Sequence, residues 1–161
     1  RQRLMCIRDR ITTDWEHLEV LITAGVARAT DAALAGALDL VRGAPLADAA
    51  PGQWLWAEEW RLEMVQTIRD IGAELARRRM AEGDLDGARR AVNRALSACP
   101  QDEVLLTTQI RIAHLADDRC ETERLVYLLA RQARRIGVDL SDETITVLQE
   151  VMEGRPRTRV V

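Results

Sequence analysis

The sequence predicts an all-α protein of about seven antiparallel helices, and three observations carry that expectation. Apolar residues recur at three- and four-residue spacing from Asp14 almost to the end of the 161-residue chain. No stretch shows the strict alternation of a half-buried strand. Between Leu75 and Pro100, small and punctuating residues stand where two tightly packed helices need them: Leu75, Ala76, Gly83, Ala88, Ala95 and Pro100. Alanines allow close approach, glycine permits the turn between helices, and proline stops the second one.

Taken in order, Arg1 to Thr13 is a charged lead-in with Leu4, Met5 and Ile7 as its apolar cluster, and reads as the end of a preceding domain. The first helix opens at Thr13 or Asp14, which can cap its free N–H groups, and carries Trp15, Leu18, Leu21 and Ile22. Thr30 caps the second, with Ala33, Ala37 and Leu40 on its face, and Gly43-Ala44-Pro45 ends it. Gly43 to Gly52 is a loop, holding Pro45 and Pro51.

The third helix is expected from about Trp54 to Ala81. Trp60, Met64, Ile68, Ile71 and Leu75 form one stripe; Leu62, Val65, Gly72 and Ala76 form a second. So wide an apolar surface calls for packing on two sides. Glu82-Gly83-Asp84 makes the turn, and Leu85, Ala88, Val92, Ala95 and Cys99 make the facing stripe. A further pair follows, with Leu105, Thr108, Ile112 and Leu115, then Leu125, Val126, Leu129, Ala133 and Ile136. Gly137 closes that helix and Ser141 opens the last, with Ile145, Leu148 and Met152 expected inside. The domain is bounded at 14–154, and residues 155–161 form a polar, basic tail.

The Leu75–Pro100 set fits one tetratricopeptide repeat, a helix-turn-helix unit of about 34 residues that needs neighbours to bury its face. One repeat length after Gly83 and Ala88 stand Asp117 and Thr122, so the next repeat is degenerate. Around this centre lie three further segments: Gly43-Ala44-Pro45-Leu46-Ala47-Asp48; Trp54, Glu58, Arg61 and Leu62; and Ile136 to Thr144. With the opening Asp14-Trp15-Glu16-His17-Leu18-Glu19, their order resembles the bacterial transcriptional activator domain of streptomycete antibiotic regulatory protein-type regulators. Leu18 stands where that family usually has an aromatic residue, and Leu140 where proline is common.

The resemblance implies a tetratricopeptide-like fold, a right-handed array of helices, used for self-association and for contacts within transcription complexes. It implies a non-catalytic module, working as a homodimer with protein partners such as the transcription machinery, in the cytoplasm. DNA reading belongs in that family to a winged helix, so this segment is not expected to bind DNA sequence-specifically. The other reading is a scaffold module of an envelope-associated or mobile-element protein that binds a protein partner. A winged helix encoded before Arg1 favours the first reading; transmembrane or peptidoglycan-binding segments favour the second.

Composition agrees with a folded domain. Apolar residues make up 47% of the chain and charged residues 30%, enough for a core and a polar exterior. All 23 basic residues are arginine, and the net charge of −3 argues against a broad phosphate-binding surface. No apolar run reaches a membrane-spanning length and no signal peptide precedes the first helix, so no membrane contact is expected. Cys6, Cys99 and Cys120 are widely spaced with no CxxC, which suits idle thiols in a reducing compartment.

Catalytic and metal chemistry find no constellation. His17 and His114, the two histidines, fall on separate helices, and nothing resembles a metal-ligand spacing or a phosphate-cradling glycine loop. No cofactor is expected. Arg77, Arg78, Arg79, Arg89, Arg90 and Arg94 form a candidate basic patch for DNA or an acidic peptide, set against a solvated face interleaved with Glu74, Glu82, Asp84 and Asp86. Trp54, Trp56 and Trp60 form the candidate protein interface. On one reading Trp60 enters the core and Trp54 packs on Pro45 or Leu46; on the other Trp56 is an exposed anchor, a role in which tryptophan is enriched.

Overall fold

The computed structural model describes residues 13–48 and 54–153. These form seven α-helices and no strand: α1 Asp14–Leu21, α2 Asp31–Asp39, α3 Glu58–Glu82, α4 Leu85–Ala98, α5 Glu103–Leu115, α6 Arg119–Ile136 and α7 Asp142–Met152. The expected lead-in with Leu4, Met5, Cys6 and Ile7, the loop residues Pro51 and Gly52, and the tail lie outside the described residues. Among the described residues no helix is long and apolar enough to cross a membrane.

Short polar side chains open six of the seven helices by accepting from a free backbone N–H. Thr13 does so for α1 in a reciprocal box with Glu16, and Thr30, Asp84, Asp102, Asp118 and Ser141 serve the others. The exception is α3. Trp54 leads instead into a 3-10 turn, Leu55–Ala57, and the α-helix starts at Glu58 without a side-chain cap.

The turn between α3 and α4 is closed by Gly83 at φ 82°, with the Asp84 N–H bonded to the Arg79 carbonyl at 2.9 Å and the Gly83 N–H to Met80 at 3.1 Å. The turn between α5 and α6 has the same form. Asp117 takes φ 55°, Asp118 donates to Ala113 at 3.0 Å, and Asp117 to His114 at 3.1 Å. Asp118 then caps α6 through the Glu121 N–H, as Asp84 caps α4 through Gly87. Aspartate is among the few non-glycine residues that tolerate this backbone, so the turn forms here without glycine.

Two apolar clusters hold the helices. The larger runs from Leu18 through Leu34, Ala37 and Leu38 to Ile68, Ile71, Leu75, Ala88, Val92, Ala95 and Leu105. The smaller joins α5, α6 and α7 through Ile110, Ala113, Leu125 and Leu129, with Leu148 and Val151 against them. At the closest point of α3 and α4, Gly72 faces Ala95, and a Cβ on Gly72 would overlap the Ala95 methyl.

Several helix faces differ from expectation. In α7 the buried line is Thr144 and Val147, while Ile145 and Met152 are exposed. The reason is polar. Thr144 shares a buried hydrogen bond with Thr107 at 3.1 Å, and Glu103 accepts from both the N–H and hydroxyl of Ser141, which sets the rotation of α7 on α5. Leu21, Leu115 and Ile136 are exposed at helix ends. In α2 the buried line is Leu34, Ala37 and Leu38, with Ala33 and Leu40 only partly covered.

Candidate protein interface

Helix α3 has 25 residues and α4 has 14. Gly72 opposes Ala95, and Asp102, just past the end of α4, lies close enough for its charge to act on Arg69, so α4 ends beside Arg69. The turns of α3 before Ile68 therefore extend about 15 Å past α4, at 1.5 Å per residue. Helix α5 starts at the same level, where Leu105 meets Gly72, and runs back along α4, with Gln109 donating to Asn93 at 2.7 Å.

All three candidate interface tryptophans lie at this overhanging end. Trp56 is 75% exposed, Trp60 58% and Trp54 38%. Trp60 is therefore not a core residue. Its stripe is buried only from Ile68 onward, because among the described residues α4 ends beside Arg69 and does not reach its first turns. The Trp54 and Trp56 rings stack with centroids 6.1 Å apart and planes inclined by 22°, so an aromatic face is presented rather than single side chains. Leu55 and Leu62 are also exposed.

What anchors this end is polar. Arg61 pairs with Glu58 at 3.0 Å and donates to the Leu46 carbonyl at 3.1 Å. Leu46 sits at φ 53° in the loop after α2. The segment Gly43–Asp48 and the segment Trp54–Leu62, separate in sequence, thus meet through Arg61. Sequence reasoning grouped these residues by spacing but gave no sign that one arginine joins them.

The six arginines of the candidate basic patch have different roles. Arg78 points inward: it bonds Glu74 at 2.7 Å, Asp31 at 2.9 Å, and the carbonyls of Ala29 and Ala27 at 2.7 and 2.9 Å. It ties α3 to the loop before α2. Arg77 is held by Glu74 and Arg89 lies 3.3 Å from Asp86. Hydrogen bonds from Arg77, reinforced by Arg78, hold the Glu74 carboxyl at a pKa of about 2, against a partial burial that works the other way. Arg79, Arg90 and Arg94 converge instead on a cleft of about 580 Å3 between α2 and α4.

The remaining titratable candidates stay apart. His17 is exposed on α1, and His114 is partly buried at the end of α5, lining a second cavity of about 680 Å3 with Tyr127 and Met152. Among the described residues no group of three or more His, Cys, Asp or Glu could hold a metal ion. Cys99 is buried and its thiol pKa is pushed up to about 11 by that burial, whereas Cys120 is exposed.

Comparison with protein-family models, with curated proteins and with solved structures finds no significant match for this chain.

Proposed function

We propose that this chain is a non-catalytic protein-interaction and self-association module of a bacterial transcriptional regulator, built as a tetratricopeptide-like right-handed helical array. The observation that carries the interaction role is the uncovered aromatic end of α3, where Trp54, Trp56 and Trp60 are all exposed and two rings stack. Exposed aromatic area of this kind marks interfaces more than it serves a monomer. The matching turns at Gly83 and Asp117 support a repeat architecture. The link to transcription rests on the ordered segments from Asp14 to Thr144 that resemble the bacterial transcriptional activator domain.

Chromatin immunoprecipitation of the tagged full-length gene product tests this reading, together with transcript profiling of a strain carrying Trp56→Asp and Trp60→Asp. Enrichment at promoters and loss of activated transcripts in the variant are expected. A product that associates with no promoter, and whose upstream coding sequence specifies a membrane-spanning or peptidoglycan-binding module, would overturn it.

A further inference from the structure

We propose that the cleft between α2 and α4 binds an acidic, apolar peptide segment of a partner protein, at a site separate from the tryptophan-bearing end of α3. The inference stands on the cleft's own geometry and needs no link to promoters.

One wall of the cleft is a line along α4. Gly87, Arg90, Arg94 and Ser97 recur at helical spacing and face α2 across it. The floor is apolar, made by Leu38, Leu75 and Ala91, each no more than 5% exposed. A volume of about 580 Å3 accommodates a few side chains of a bound segment.

The charges above that floor are unevenly matched. Arg79 is answered by Asp31, Glu82 and Asp84 at 3.4–3.8 Å. Arg90 and Arg94 are both exposed, and among the described residues no carboxylate lies within ion-pair reach of either. Arg94 gives one N–H to the Val41 carbonyl at 3.5 Å, which leaves most of its five donors open. Two guanidinium groups on one helix line, above an apolar floor, suit carboxylates spaced by an aliphatic side chain.

Asp39 and Asp84 decide against a polyanion. Both line the cleft, and Asp84 already accepts the Gly87 N–H at 2.8 Å. A duplex would bring phosphate charge to both carboxylates. A peptide can set its carboxylates at Arg90 and Arg94 and turn a backbone N–H toward Asp39. Charge complementarity therefore selects a mixed chain over a nucleic acid.

A random peptide library displayed on phage and selected on the full chain should enrich Asp and Glu interspersed with Leu, Ile or Val. Anisotropy of the best labelled peptide should weaken about tenfold or more in Arg90→Glu with Arg94→Glu, and in the milder pair Arg90→Gln with Arg94→Gln. Arg89→Glu alters a neighbouring arginine outside the cleft and should change affinity by less than about threefold. Trp56→Ala should leave it unchanged, so failure at the aromatic end is read separately. Selected peptides without acidic residues would overturn the proposal. So would equal weakening by Arg89→Glu or Trp56→Ala, or displacement of the peptide by equimolar duplex DNA.

Discussion

Gly72 of α3 and Ala95 of α4 approach so closely that a methyl group on Gly72 would occupy the space of the Ala95 methyl. Leu105 closes the same point from α5, 3.5 Å from where that methyl would stand. Three helices meet over a residue with no side chain, and this contact sets the spacing of the larger core. Two opposing effects bear on Gly72→Ala. Better helix propensity contributes about 1 kcal/mol, while overpacking a tight core costs about 1–3 kcal/mol. Overpacking should win, lowering the urea midpoint, and adding Ala95→Gly should recover part of the loss. A raised midpoint in the single variant would mean that α3 and α4 are not in this register.

Arg78 should behave as a structural clamp and not as part of a binding patch. Arg78→Lys keeps the charge but loses the fork that reaches Glu74, Asp31 and the loop carbonyls together. Amide hydrogen exchange in residues 26–31 should accelerate, while that of α5 to α7 stays as in the parent. Unchanged protection of the loop would remove the clamp.

Stability should fall in acid through Glu74. Its folded pKa of about 2 lies below the ordinary 4.5, so the stabilisation is complete above 4.5 and is lost as pH drops toward 2. Melting temperature measured across that window should decline, and Glu74→Gln should flatten the decline while lowering stability at neutral pH. A Glu74→Gln profile parallel to the parent's would place the acid sensitivity elsewhere.

The two described thiols should react differently. Burial, with the charge of Asp102 adding to it, raises Cys99 to about 11, so almost no thiolate exists there at pH 8. In a chain carrying Cys6→Ser, a disulfide reagent at that pH should titrate exposed Cys120 rapidly and Cys99 only after denaturation. Two fast thiols in the native state would contradict the packing of α4 on α3 and α5.

Self-association should run through the overhanging end of α3. A two-fold pair requires one self-complementary patch, and the exposed Trp56 and Trp60 supply its aromatic content. In sedimentation at micromolar concentration the parent should run as a pair, and Trp56→Ala should run as a single chain with helicity intact. A parent that remains a single chain would assign the aromatic end to a different protein.

The helical character of the chain was legible because its cause is local. Apolar periodicity, capping by Thr13, Thr30 and Ser141, and the glycine at the α3–α4 turn all act within a few residues. So did the Leu75–Pro100 spacing identify Ala88 and Ala95 as buried small residues, both 0% exposed. What periodicity could not tell was where a stripe loses its partner. Trp60 continues the stripe of Ile68 and Ile71 yet lies beyond the end of α4, and only the relative lengths and register of packed helices decide that. The rotation of α7 was likewise invisible, since Thr144 earns its burial from Thr107, thirty-seven residues away in sequence. The arginines show the same division. Their abundance between Arg77 and Arg94 is written in the sequence. Which of them clamp a loop, pair on the surface or face an open cleft depends on what the fold brings within 4 Å of each guanidinium.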